Sequence, residues 1–148
     1  MESLTDPAAL LHEELDVPAA LSPFVARRMR TWSEEPVEFV MTLPPTGSIF
    51  LTLVFGNPMT LEFEPGEQRP APELFIGGQL RNRMPVSRVQ GRVGVTGFEF
   101  TPTGFHRLFH QDCSVLTDRA PPLDELVPEP AETLRSKLDA TPDIHEKM

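Results

Sequence analysis

The 148-residue chain has one cysteine, few cationic side chains and no long apolar run, and each shortage narrows the class of protein. Cys113 has no second thiol in the chain to pair with, which excludes an internal disulfide and favours a reducing compartment. No apolar stretch approaches the roughly 18–20 residues that a membrane-spanning helix needs. No cationic and then apolar N-terminal segment resembles a signal peptide. We therefore expect a cytoplasmic protein without membrane contact.

Positive charge is also scarce. The chain has 13 lysines and arginines against 22 acidic residues, a net charge of -9 and a pI of about 4.8. A domain that binds duplex DNA by itself normally presents a basic patch and a high pI. The charge therefore argues against direct DNA binding by this chain. Its length and its 39% hydrophobic content are those of one globular domain.

The middle of the chain has the periodicity of β-strands. Residues 37–43 alternate between apolar and other side chains, residues 48–55 are apolar on both faces, and MTLEFE alternates again. PGEQRPAPE at 65–73 predicts a surface loop, and LFIGG, PVSRVQ and RVGVTGFEF predict three more strands. Glycines 91, 94 and 97 predict bulges or bends in a curving sheet. Short strands between Gly and Pro turns predict a small sandwich or barrel.

Helix-start signals precede and follow these strands. Asp6–Pro7 before AALLHEEL and Ser22–Pro23 before FVARR each place a capping residue ahead of proline, and RRMRTW then becomes extended. TGFHRLFH and AETLRSKLDA predict two helices after residue 100. The predicted fold class is mainly β with flanking helices (α+β), in one domain over residues 1–140.

The segment 141–148 predicts the start of a further helix. Thr141–Pro142–Asp143 is a helix-start pattern, but only IHEKM follows it. One helical turn is not stable alone, because nucleation costs more than a single hydrogen bond returns. We therefore expect the natural protein to continue past Met148 as a linker helix.

The residues that could carry metal or nucleophilic chemistry are poorly placed for it. Cupin enzymes hold a metal with histidines on barrel strands, and none of the four histidines falls in a predicted strand: His12, His106, His110 and His145. His106 and His110 are spaced i, i+4, but no glutamate follows the first as in a zinc protease. The chain has no Gly-x-Ser-x-Gly elbow, and the acid beside Cys113 would raise a thiol pKa. We expect no metal, no cofactor and no enzymatic activity.

A ligand pocket is the remaining site hypothesis, because small barrels can hold one small molecule. The candidate inward-facing side chains are Phe39, Met41, Leu51, Leu53, Phe63, Phe98 and Phe100. Polar groups at the mouth are predicted from Gln79, Arg81 and Arg88. The alternative is that the same apolar side chains fill an ordinary core, and the sequence leaves both readings open.

Residues 74–127 carry a family resemblance. They contain a Gly-Gly-Gln turn, a basic strand, a Gly-rich strand closing on GFEFTP, a short helix, and a Leu-Thr-Asp and Pro-Leu-Asp-Glu-Leu tail. This order resembles the N-terminal domain of one group of AraC-like (AraC/XylS-like) transcriptional regulators. The resemblance covers roughly residues 18–140, with weaker matches at LSPFV and at LPPTGSIFLTLVFGNP. In the latter, Pro45-Thr46-Gly47 replaces an Asp-Gly turn and Asn57 replaces an aspartate.

In that group a cupin-like β-barrel precedes a helix-turn-helix DNA-binding domain. The resemblance implies that this chain senses a small-molecule effector or mediates homodimerisation, and that a C-terminal domain absent from this chain binds DNA. The helix near residues 129–140 is the predicted dimer contact, through Leu134 and Leu138. No catalytic residue is carried over by the resemblance. The alternative function is a stand-alone small-ligand-binding β-barrel with no DNA role.

Overall fold

The computed structural model describes residues 10–42, 47–56, 59–81 and 85–140. The strands in these ranges are β1 (Leu10–Leu15), β2 (Val25–Ser33), β3 (Val37–Thr42), β4 (Phe50–Gly56), β5 (Thr60–Glu62), β6 (Gln68–Pro70), β7 (Leu74–Gly77), β8 (Val86–Gly91) and β9 (Val93–Phe100). The helices are α1 (Gly104–Phe109), α2 (Leu123–Leu126) and α3 (Pro128–Asp139), with a 3-10 turn at Cys113–Leu116. The prediction of a mainly β domain is confirmed.

The strands form two antiparallel sheets whose strand orders match. The first sheet is β1-β2-β9-β4-β7 and the second is β3-β8-β5-β6. The pair β2–β9 continues across a corner as β3–β8, and β4 continues as β5 beside them. The molecule is therefore one antiparallel sheet folded over on itself, so that its long strands cross from the first sheet to the second at a common corner.

Gly91 and Ser33 shape this corner. Gly91 has a φ of 109°, a region that glycine adopts without the steric penalty of a side chain, and there the chain leaves β8 and enters β9. The buried Ser33 hydroxyl accepts a hydrogen bond of 3.1 Å from the Val93 amide across the corner. The bend expected at Gly91 is thus present. Gly94 and Gly97 instead pair regularly with β2, and the register shift of that strand falls between Val25 and Arg27.

The two faces of the first sheet bury different clusters. One face packs against the helices, and its buried members include Leu53, Ile76 and Phe100 from strands with Phe105 and Leu123 from helical segments. We call this the helical cluster. The other face packs against the second sheet and forms the sandwich cluster: Val37, Val54, Met59, Leu61, Ala71, Phe75, Val89 and Val93. The first sheet is consequently a middle layer, covered on both sides.

The predicted strands at 37–43, 48–55, 59–64, 74–78, 85–90 and 92–100 are present with small shifts of their ends, as are the two helices expected after residue 100. The prediction of helices at the N-terminal end of the described residues is wrong. Residues 10–15 form β1, because the open edge of β2 offers a full row of backbone partners and this pairing overrides the local helical preference. Ser22 and Pro23 lie in a single turn that is closed by a hydrogen bond of 2.8 Å from the Val25 amide to Leu21 O. The strand β2 begins directly after this turn.

The loop expected at 65–73 contains the short strand β6, which pairs with β5 at the outer edge of the second sheet. Pro70 is tolerated there because an edge strand needs backbone donors on one side only. The helix starts expected at Asp6–Pro7 and at Thr141–Asp143 lie outside the described residues.

Candidate ligand-binding site

A cavity of about 460 Å³ lies between the two sheets. The first sheet contributes Leu10, Thr31, Phe50, Thr52, Phe75, Gly77, Val93 and Val95 to its wall. The second sheet and its flanking residues contribute Met59, Leu61, Phe63, Pro85, Ser87 and Val89. Residues of the sandwich cluster fill the end nearest the corner, and the cavity extends from there toward Phe50 and Gly77. The volume falls within the range of small-molecule pockets, roughly 300–1,000 Å³.

Strand alternation decides which side chains reach this cavity. In β4, Phe50 and Thr52 line the cavity, whereas Leu53 belongs to the helical cluster. In β7, Phe75 and Gly77 line it, whereas Leu74 and Ile76 face the helices. Because side chains of a strand alternate between faces, a shift of one residue moves every assignment to the other side of the sheet.

The cavity wall is apolar apart from a few hydroxyl groups and one charged side chain. Thr31 Oγ1 is paired with His12 Nδ1 at 2.8 Å, and Thr52 presents a second hydroxyl from the same sheet. Ser87 lies on the opposite sheet, is 1% exposed, and its Oγ has no hydrogen-bond partner among the residues that the structure describes. A buried polar atom without a partner costs about 1–3 kcal/mol, so its presence in a wall requires an explanation.

Among the described residues, the second sheet offers the Ser87 hydroxyl no partner. Its cross-strand neighbour in β5 is Leu61, an apolar residue. Along β8 the alternate positions Arg88 and Gln90 are exposed on the outer face, so Ser87 and Val89 face inward. The Ser87 hydroxyl therefore lies on the side of the sheet that faces the cavity.

Residues 116–122, which we call the strap, close one side of the cavity. The strap pairs with the edge of β7 through two backbone hydrogen bonds. The Gly78 amide donates to Arg119 O at 3.0 Å, and the Ile76 amide donates to Pro121 O at 3.0 Å. Arg119 and Ala120 line the cavity, and Arg119 is its one charged lining residue among those the structure describes. The Arg119 side chain is exposed and its Nη1 donates to Val115 O at 3.1 Å. The strap leads directly into α2.

Gly78 allows the strap to lie this close. A Cβ at Gly78 would overlap the carbonyl group of Leu116 and lie 2.9 Å from Leu116 Cβ. Asp118 adopts a φ of 55°, its amide donates to Gln79 O at 2.8 Å, and its carboxylate accepts from the Arg81 amide at 2.8 Å. The glycine and the local Asp118 bonds together fix the strap against β7.

A second depression adjoins the cavity across Phe63 and Ala120, and its other walls are charged or rich in proline. Glu67 and Arg69 form an exposed ion pair there at 3.7 Å. Solvent screening makes such a pair weak, with a typical contribution of about 0–1 kcal/mol. This depression is a polar approach to the apolar cavity.

The predicted ligand-binding residues are split by the fold. Phe63 lines the cavity. Leu51, Leu53, Phe98 and Phe100 instead pack in the helical cluster on the other face of the first sheet. Their assignment as inward-facing was one residue out of register, because β4 is apolar on both faces and the sequence does not show which face meets the second sheet.

The predicted mouth residues lie apart from one another. Gln79 follows the cavity residue Gly78, and its Oε1 is buried with no partner in the described ranges. Arg81 is exposed beside the strap, and Arg88 is exposed on the outer face of the second sheet, away from the cavity wall. The side chains of Phe39 and Met41 lie outside the part of the chain that the structure describes.

Sequence reasoning missed Ser87, Thr52 and Gly77, although one signal was available. In VSRVQ the charged and amide residues alternate with Ser87 and Val89. Since charged side chains take the solvent face of a half-buried strand, the pattern places Ser87 inward. Gly77 and Thr52 carried no such signal.

The other predicted features are placed as follows. Leu134 is partly buried against the helical cluster of its own chain, so the proposed dimer contact now rests on Leu138, whose side chain lies outside the described part. His12 lies in β1, contrary to the prediction that no histidine falls in a strand, and its Nδ1 is hydrogen-bonded to Thr31 Oγ1. In the described ranges no three His, Cys, Asp or Glu side chains group in a way that would hold a metal ion.

Cys113 is not arranged as a nucleophile. Burial raises the pKa of its thiol, a hydrogen bond with the His106 backbone opposes this in part, and the neighbouring Asp112 carboxylate adds a still smaller effect that raises the pKa. The thiol is therefore protonated near neutral pH, and it packs against the helical cluster on the far side of the first sheet from the cavity.

Comparison with known proteins gives one match. No curated protein and no solved structure matches the chain significantly. Among the described residues, none of the helices has the length and apolar character needed to cross a bilayer. A family model does match residues 13–122, which include β2–β9, α1 and the whole strap. This match spans more than half of the chain, and the protein therefore belongs to the family DUF6597, a domain of unknown function.

Proposed function

We propose that this chain is the effector-sensing domain of an AraC-type transcriptional regulator, with a cupin-like folded sheet that binds a small molecule between its layers. The observation that carries the proposal is the apolar cavity of about 460 Å³. Apolar cavities with a few polar groups are the usual sites of small-molecule binding. The family resemblance of residues 74–127 supports a regulatory role for such binding.

The strap supports a route from ligand to attached domain. Arg119 and Ala120 line the cavity, and their backbone continues within a few residues into α2 and then α3. A ligand that contacts the strap favours one arrangement of it, and it shifts the population of that arrangement by its differential affinity. In a regulator, α3 would pass this bias to a C-terminal helix-turn-helix domain, and a homodimer would present two such domains to DNA.

Binding of N-phenyl-1-naphthylamine, a neutral dye that fluoresces in apolar surroundings, tests the cavity. Gly77→Leu adds a four-carbon side chain to the wall, where the nearest atom to an added Cβ is Phe50 O at 4.0 Å. We expect the dye to bind the wild type and to lose about tenfold or more in affinity for Gly77→Leu, since overpacking costs about 1–3 kcal/mol.

Gly47→Leu is the matched control. Gly47 is exposed, has open space around an added Cβ and does not line the cavity. It is expected to bind the dye like the wild type. Equal binding by all three proteins would show that the dye binds elsewhere, and no binding by the wild type would refute the cavity as a ligand site.

The regulatory part has a separate test in the reading frame beyond codon 148. A continuation of roughly 100 residues with a basic composition and two helix-turn-helix patterns is the expected result. A stop codon directly after Met148 would refute DNA binding in cis and favour a stand-alone binding module.

A further inference from the structure

Given the proposed ligand-binding function, on which this inference rests, we infer that the cavity selects an uncharged, mainly apolar molecule with one hydroxyl or carbonyl group, and that this group pairs with Ser87. The Ser87 Oγ is buried, has no partner among the described residues, and belongs to a residue of the cavity wall. A ligand oxygen that reaches it would satisfy a group that the fold leaves unpaired.

The chemistry of the hydroxyl sets which groups fit. A serine hydroxyl donates one hydrogen bond and accepts others, so it pairs equally with a ligand hydroxyl or with a carbonyl oxygen. The cavity residues near it in the fold, Leu61 and Val89, add apolar surface and no competing polar group. One polar atom on an otherwise apolar ligand matches this wall.

The charge distribution excludes an ionised ligand. A charge in an apolar site is costly unless it is paired. Arg119, the one charged lining residue in the described part, lies at the strap with an exposed side chain, and one of its amino groups is already bonded to Val115 O. It therefore sits where a charged group would remain in solvent, and it offers no buried counter-ion beside Ser87.

Three probes of nearly the same shape test this inference: 2-methylnaphthalene, 2-naphthol and 2-naphthoate. They place a methyl group, a neutral hydroxyl or a carboxylate on the same ring system. We expect 2-naphthol to bind the wild type roughly tenfold more tightly than 2-methylnaphthalene, the equivalent of one net hydrogen bond. We expect 2-naphthoate to bind more weakly than either.

Ser87→Ala removes only the hydroxyl and keeps the shape of the wall. We expect it to bind 2-methylnaphthalene like the wild type and to lose the preference for 2-naphthol. Thr60→Val, which removes a hydroxyl from β5 at a position outside the cavity wall, is the control and should keep that preference. Thermal melts of both variants would show that each is folded.

The outcomes separate this inference from the proposed function. If 2-methylnaphthalene binds the wild type and Gly77→Leu weakens it, the cavity is a ligand site. If the wild type then binds 2-naphthol no more tightly than 2-methylnaphthalene, the role of Ser87 is refuted. It is also refuted if Ser87→Ala still binds 2-naphthol more tightly than 2-methylnaphthalene. Tighter binding of 2-naphthoate than of 2-naphthol would refute the inference that the cavity excludes ionised ligands. Failure of all three probes to bind would refute the ligand site and the inference together.

Discussion

Two buried serines in this sandwich should respond oppositely to the same substitution. Ser33 and Ser87 are 5% and 1% exposed. The Ser33 hydroxyl accepts a hydrogen bond from the Val93 amide at the corner, whereas the Ser87 hydroxyl has no partner within the described part of the chain. Ser33→Ala leaves the Val93 amide unpaired in a buried position and should lower the free energy of unfolding by about 1–3 kcal/mol. Ser87→Ala removes an unpaired polar atom and should raise it by about 1 kcal/mol.

The assay is urea unfolding and thermal melting of the two variants without ligand. A difference of 1 kcal/mol shifts Tm by roughly 2–4 °C for a chain of this size, so the melting temperatures of the two variants, which differ by about 2–4 kcal/mol, should lie roughly 4–16 °C apart. The m-values should be unchanged, because neither substitution alters the surface that unfolding exposes. If Ser87→Ala destabilises the protein as much as Ser33→Ala, the Ser87 hydroxyl has a partner in the free protein, and the reasoning from an unpaired group fails.

The remaining predictions concern the strap and Cys113. Gly78→Ala should destabilise the protein by about 3 kcal/mol or more in urea unfolding, because its Cβ overlaps the backbone of Leu116. The neighbouring Gly77→Ala should change stability little, and equal losses for the two would contradict the close approach of the strap. Cys113 should react with iodoacetamide at pH 8 more slowly than free cysteine, since burial raises the pKa of its thiol. A rate equal to that of free cysteine would contradict this placement.

The sequence predicts most of the strands but not how they are layered. Alternation in β3, β5 and β8 is visible because one side chain in two is polar, and these strands were located well. β4 and β9 lie in a middle layer with apolar residues on both faces, and there the pattern cannot tell the helical cluster from the cavity. This is why Leu53, Phe98 and Phe100 were assigned to the wrong face.

Local helix signals failed where the chain had a better partner available. AALLHEEL has acceptable helical residues, but in the fold its C-terminal six residues pair with β2 from Arg28 to Ser33. Arg30 Nε adds a hydrogen bond to Glu13 across the pair at 2.8 Å. The sequence does not reveal that β2 lies at an open edge, because that edge is created by the pairing of β2 with β9, far along the chain.

The cavity depends on small residues at inward positions. Where the first sheet meets the helices, inward positions carry large side chains such as Phe100 and Leu53, and that side is filled. Where it meets the second sheet, the wall combines large apolar side chains such as Phe50 with Gly77, Thr52 and Ser87, and these three do not reach across the gap. Filling these three positions with larger apolar residues is an available route to a tighter core, and natural cores normally leave few voids larger than a water molecule. Small residues at these positions lower stability by leaving a void, and the Ser87 hydroxyl, which has no partner among the described residues, lowers it further. A local loss of folding stability of this kind is expected at a functional site, and this favours a binding role for the cavity over an imperfectly packed core.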